Sequence, residues 1–105
     1  MGSVTVEELR GRLDRGEEVC LLDVREPAEW ELCRLPGAML IPLGQLPQRF
    51  TELDSKRETV VMCHHGVRSQ WAIGFLARQG FTNLLNLAGG IHAWAVRVDP
   101  TMARY

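Results

Sequence analysis

The chemistry of this sequence is concentrated in Val60-Val61-Met62-Cys63-His64-His65-Gly66-Val67-Arg68-Ser69-Gln70-Trp71. The order of residue types predicts a strand, a cysteine, a tight loop and a helix. Ligands of open α/β sheets bind beyond the carboxyl ends of the strands, so Cys63 is expected in a crevice. A short turn curling into a helix N-terminus aims several backbone N–H groups inward and makes a nest for an anion. Those amides, the partial positive charge of the helix N-terminus and the Arg68 guanidinium all favour a thiolate over a thiol. Only the thiolate is a useful nucleophile, and the same donors would hold a terminal anionic atom attached to it.

Loop length decides what that atom is. Cysteine-dependent phosphatases and arsenate reductases resemble the arrangement but place five residues between Cys and Arg, a width that suits a tetrahedral oxyanion. Here four residues, His64 to Val67, separate Cys63 from Arg68. The narrower nest fits one sulfur atom, so the expected covalent intermediate is a persulfide on Cys63. The expected roles are nucleophile for Cys63 and site shaping and anion attraction for Arg68. The rings of His64 and His65 are expected to form the pocket rim.

His64 and His65 also suggest a metal, with Cys63 and His92 as further ligands. Zinc ligands normally come in pairs at recognisable spacing, and adjacent residues of a tight loop are expected to point apart. No metal site and no organic cofactor are therefore expected, and His92 is read as a packing or surface residue. Asp23 and Arg25, at the end of an apolar run, are expected to pair with each other or to tie down neighbouring loops. Cys20 reads as core. Cys33 would resolve a persulfide only if the fold brought it within disulfide reach of Cys63. The odd number of cysteines leaves at least one thiol free.

The elements that must hold these residues follow from apolar runs and their punctuation. Thr5 and Glu8 form a capping-box pair ahead of a helix to about Asp14, closed by Gly16. Val19–Val24, Ala38–Ile41, Thr59–Met62 and Phe81–Leu87 are short apolar runs expected to be strands. Helices are expected after Pro27, over about Leu46–Leu53, over Arg68–Gln79 and around Ile91–Ala95. Trp71, Phe75 and Leu76 are read as the core face of the third of these, and the tail from Val98 is left unassigned. Alternating strand and helix segments predict an α/β fold with a largely parallel sheet.

One domain over residues 1–105 is expected from a chain that is 46% hydrophobic and 24% charged. The formal charge of −1 and the absence of any long run of like charge argue against nucleic-acid partners. No apolar stretch approaches the ~18 residues of a membrane span. No secretory signal pattern begins the chain, which is expected to be cytoplasmic.

Beyond Cys63, the segments Leu21-Leu22-Asp23-Val24-Arg25-Glu26, Leu35-Pro36-Gly37-Ala38 with Ile41-Pro42, and Leu87-Ala88-Gly89-Gly90-Ile91 with Ala93-Trp94 follow a joint order. In that order, and with the loop Cys63–Ser69, the chain resembles a single-domain rhodanese, a sulfurtransferase. The resemblance implies a three-layer α/β fold, a small mainly parallel sheet with helices on both faces. It also implies Cys63 as sulfur acceptor and the amides from His64 to Ser69 as a persulfide cradle. Family members commonly carry Gly-His where this chain has Cys33-Arg34, a departure that bears on donor preference. The expected partners are a small anionic sulfur donor such as thiosulfate, or a protein persulfide, with cyanide or a thiol, including a thiol acceptor protein, receiving the sulfur. The alternative is a sulfur-relay or regulatory module acting mainly through a partner protein. Sulfur chemistry at Cys63 requires that the loop amides face the sulfur and that the sulfur be reachable from water.

Overall fold

Alternate residues of the central strands diverge to opposite sides of one sheet, and the two sides carry separate cores. Leu22, Val61 and Leu84 join Ala72, Ile73 and Leu76 on one face. Leu21, Val60, Met62 and Leu87 join Val6, Leu9, Ile91 and Trp94 on the other. That division follows from the two-residue period of a strand, and the near-continuous apolar composition is what burial on both faces demands.

The computed structural model describes residues 2–105. Its strands are β1 (Gly2–Val4), β2 (Cys20–Asp23), β3 (Met39–Leu40), β4 (Thr59–Met62) and β5 (Leu84–Leu87). The order across the sheet is β1-β5-β4-β2-β3, and every pairing is parallel. The α-helices are α1 (Val6–Asp14), α2 (Pro27–Leu32), α3 (Leu46–Arg49), α4 (Val67–Arg78) and α5 (Gly90–Arg97). Helices α1 and α5 cover one face while α3 and α4 cover the other, which is the expected three-layer α/β arrangement.

Thr5 and Glu8 make the expected capping box, with the Glu8 amide donating to Thr5 Oγ1 at 3.1 Å and the Thr5 amide to Glu8 Oε1 at 2.8 Å. Several expectations need correction. Strand β1 was not anticipated, because Gly2-Ser3-Val4 has no apolar run and is recruited by the ladder of β5. The strand expected from Phe81 begins only at Leu84. The helix expected over Leu46–Leu53 is a four-residue α3 between two 3₁₀ turns, Leu43–Gln45 and Phe50–Glu52. Trp71 is not core: it is 72% exposed, while Ala72, Ile73 and Leu76 take the buried face. Among the described residues, no helix is long and apolar enough to cross a membrane.

Candidate active site

Cys63 follows β4 directly and lies two residues beyond Val61, the inner strand partner of both Leu22 and Asn86. The loop that follows turns sharply because Gly66 adopts φ +113°, a conformation that L side chains resist. A methyl group at Gly66 would have room, its nearest neighbour lying 3.6 Å away, so backbone conformation rather than space selects glycine. The turn delivers two amides to the sulfur. Gly66 N–H donates to Cys63 Sγ at 3.0 Å and Ser69 N–H at 3.4 Å. Cys63 Sγ also lies 3.5 Å from Ser69 Oγ, and that hydroxyl donates to Asn86 Oδ1. Two of the six loop amides therefore meet Sγ, together with a hydroxyl held by β5.

A second contact sets the depth of the loop. Helix α5 starts against it, with Ile91 N–H donating to the Cys63 carbonyl at 2.9 Å and His92 N–H to the His64 carbonyl at 3.0 Å. Gly90 makes that approach possible, since a Cβ there would stand 2.5 Å from both carbonyl oxygens.

Arg68 was expected to serve the anion at Cys63. Instead its two terminal nitrogens grip Glu29 at 2.6 and 2.7 Å. Pairing to a carboxylate offsets the charge that a free guanidinium would offer a donor, so Arg68 first acts as a brace between α4 and α2. The Arg68 bonds hold the Glu29 carboxyl down at about 2, with help from the Glu26 amide and Tyr105 and against the opposing effect of burial. The Arg68 guanidinium is raised in turn, chiefly by Glu29.

Asp23 and Arg25 form the expected ion pair, fully buried at 2.8 Å. Arg25 also donates to the Cys33 carbonyl at 2.7 Å and to Tyr105 Oη at 2.8 Å, which ties β2, α2 and the tail together. Burial pulls the Arg25 guanidinium down, but its bonds to Asp23 and Tyr105 outweigh that and hold it raised. Arg34 turns away, its guanidinium 5.1 Å above the Trp30 ring. Cys33 remains a free thiol 3.9 Å from Arg25 Nη1.

Tyr105 was not foreseen in the site. Its ring stacks on His64 with centroids 3.9 Å apart and 8° between planes, and its hydroxyl donates to Glu29 Oε1 at 2.9 Å. Burial pushes the phenol up to about 12, so it stays neutral at ordinary pH. Burial likewise takes His64 below the usual imidazole range, with His65 adding to the effect. The expectation that His64 and His65 point apart is also corrected: their ring centroids lie 4.0 Å apart, and His92 joins them. The Val67 side chain is exposed.

The most consequential difference concerns access. Cys63 is only 1% exposed, so the thiol lies closed off in this conformation rather than open to water. Between α5 and the tail, the depression lined by Cys33, His64, His92 and Tyr105 has no space for a water molecule. Glu29, Asn86 and Tyr105 are the neighbours that sequence reasoning missed, while His92, read as a packing or surface residue, lies beside His64 and His65. Asn86 alone carried a signal, a polar residue inside the apolar run of β5.

Comparison with known proteins agrees with this architecture. A sulfurtransferase of Allochromatium vinosum is 38% identical over 103 residues, with 98% of this chain and 96% of that protein covered. The probable adenylyltransferase/sulfurtransferase MoeZ of Mycobacterium tuberculosis is 38% identical over 105 residues, covering 98% of this chain, which spans only 27% of that longer relative. The crystal structure of a rhodanese-like domain protein from Staphylococcus aureus superposes with a TM-score of 0.84 at 32% identity, over 90% of this chain and 91% of that one. The rhodanese-like domain model matches residues 5–97, and the chain belongs to that family.

Proposed function

We propose that the chain is a sulfurtransferase working by double displacement at Cys63. The Cys63 thiolate attacks the outer sulfur of thiosulfate or of a donor persulfide, the donor S–S bond breaks, and sulfite or a thiolate leaves. The enzyme then carries a persulfide. Cyanide or an acceptor thiolate attacks its outer sulfur, and the Cys63 thiolate is restored.

The observation that carries the proposal is the convergence of Gly66 N–H and Ser69 N–H on one sulfur atom at the end of a central strand. A second sulfur bonded at ~2.05 Å extends toward the rest of the loop, where amides not engaged with Sγ stabilise its charge. Loading requires the closed site to open, because Cys63 is buried at rest. Arg68 preserves the loop's shape through Glu29, and its field, partly offset by that pairing, still favours an anion.

The test is intact-mass analysis of the reduced chain after incubation with thiosulfate. One added sulfur, removed by cyanide and absent in Cys63→Ser, is the expected result. Folded, reduced protein that gains no sulfur from thiosulfate or from a low-molecular-weight persulfide would overturn the proposal.

Burial of the thiol favours a second reading, a relay that opens only for a partner and unloads onto one protein thiol. Brisk turnover from thiosulfate to cyanide supports the enzyme. Loading followed by negligible release to cyanide supports the relay.

A further inference from the structure

The chain has three histidines, and the fold gathers all of them beside the loop of Cys63. The centroids of His64 and His92 lie 6.0 Å apart and those of His65 and His92 5.0 Å apart. One ring nitrogen from each of the three lies within 4.8 Å of the others. The backbone bond from His92 N–H to the His64 carbonyl fixes the two segments that carry them. Tyr105 covers one face of the His64 ring. A metal ion bonds imidazole in the plane of the ring, so this stack orients His64 without occupying its lone pair.

We propose that His64, His65 and His92 form a three-imidazole site for a borderline divalent transition-metal ion of the zinc, nickel or copper class, placed over the approach to Cys63. An all-nitrogen set suits these ions and disfavours calcium and magnesium, which take oxygen ligands. The Glu29 carboxylate is committed to Arg68 and Tyr105. Zinc–nitrogen bonds of ~2.0–2.1 Å require the three nitrogens to draw together. Side-chain rotation of His65 and His92, both exposed, supplies that movement. A fourth coordination position stays open to water or an anion. An ion so held joins the loop to α5 and obstructs a sulfur donor.

The test uses the full chain under a reductant that does not bind metals. Zinc and nickel binding is followed by calorimetry, and cobalt binding by absorption. One ion per chain is expected, with no thiolate-to-cobalt charge-transfer band and with binding retained in Cys63→Ser. His92→Ala, a change at an exposed position, should weaken binding by at least ~10-fold, as loss of even an outer partner of a metal ligand does. Absence of binding, a thiolate band or unchanged affinity in His92→Ala would each overturn the site. These readouts stand whether or not Cys63 accepts sulfur. Where it does, zinc should slow loading of the unmodified chain more than that of His92→Ala; equal slowing would overturn the obstruction.

Discussion

Arg68 and Glu29 meet across 39 residues of sequence in a two-pronged ion pair of 2.6 and 2.7 Å, and this pair joins the cysteine loop's helix to α2. Glu29 is 17% exposed and its carboxyl is held at about 2. Because its folded value lies below the ordinary 4.5, its stabilising contribution is full above about that pH and fades as pH falls toward 2. Glu29→Gln should lower stability at neutral pH by roughly 1–3 kcal/mol. Urea unfolding over pH 3 to 7 checks the sign: the gap between the two proteins should narrow toward acid, and a gap independent of pH would refute the linkage.

Ser69 and Asn86 should behave as a coupled pair. The Ser69 hydroxyl links Cys63 Sγ to Asn86 Oδ1 in a buried place, so removing it strands an amide oxygen. Ser69→Ala should cost roughly 1–3 kcal/mol. In a double-mutant cycle with Asn86→Ala, a coupling of ~0.5–3 kcal/mol is expected. Simple additivity would mean that the bond contributes little.

Gly66→Ala separates backbone shape from bulk. Gly66 and Gly37 both have positive φ with no steric obstacle to a methyl group closer than 3.6 Å. Both alanine variants should lose roughly 1–3 kcal/mol from forcing a side chain into that region. Only Gly66→Ala should also slow sulfur loading, by tenfold or more on the order of the loss of one oxyanion-type donor. Equal loading rates in the two variants, measured by quenched intact-mass time courses, would remove the Gly66 amide from the chemistry.

Tyr105→Ala should open the site. The substitution removes the stack on His64 and the hydroxyl shared between Arg25 and Glu29. Alkylation of Cys63 by iodoacetamide, read by peptide mass, should become several-fold faster without loss of fold. An unchanged rate would place the barrier to the thiol in the loop alone.

Local signals were sufficient for the sheet's central strands, the α1 cap and the strand–loop–helix order around Cys63. Runs such as Leu21-Leu22 and Val60-Val61 are apolar because both faces of a parallel sheet are covered, and that requirement is written into consecutive residues. Strand β1 had no such imprint: three residues at a sheet edge owe their conformation to hydrogen bonds from β5. Trp71 misled because a helix-face pair four residues apart does not say which face is inward; Ala72 and Leu76 took that side.

By itself the sequence determined the α/β alternation and the place of Cys63 between strand and helix, with a loop of four residues before Arg68, since these depend on neighbours along the chain. Tertiary structure alone decided that Arg68 pairs with Glu29, that Asn86 supports Ser69, that Tyr105 returns to cover His64 and that the three histidines meet. Each of those contacts joins segments far apart in sequence, and their distances are set by how the helices pack on the sheet. Side-chain types cannot encode such distances one residue at a time.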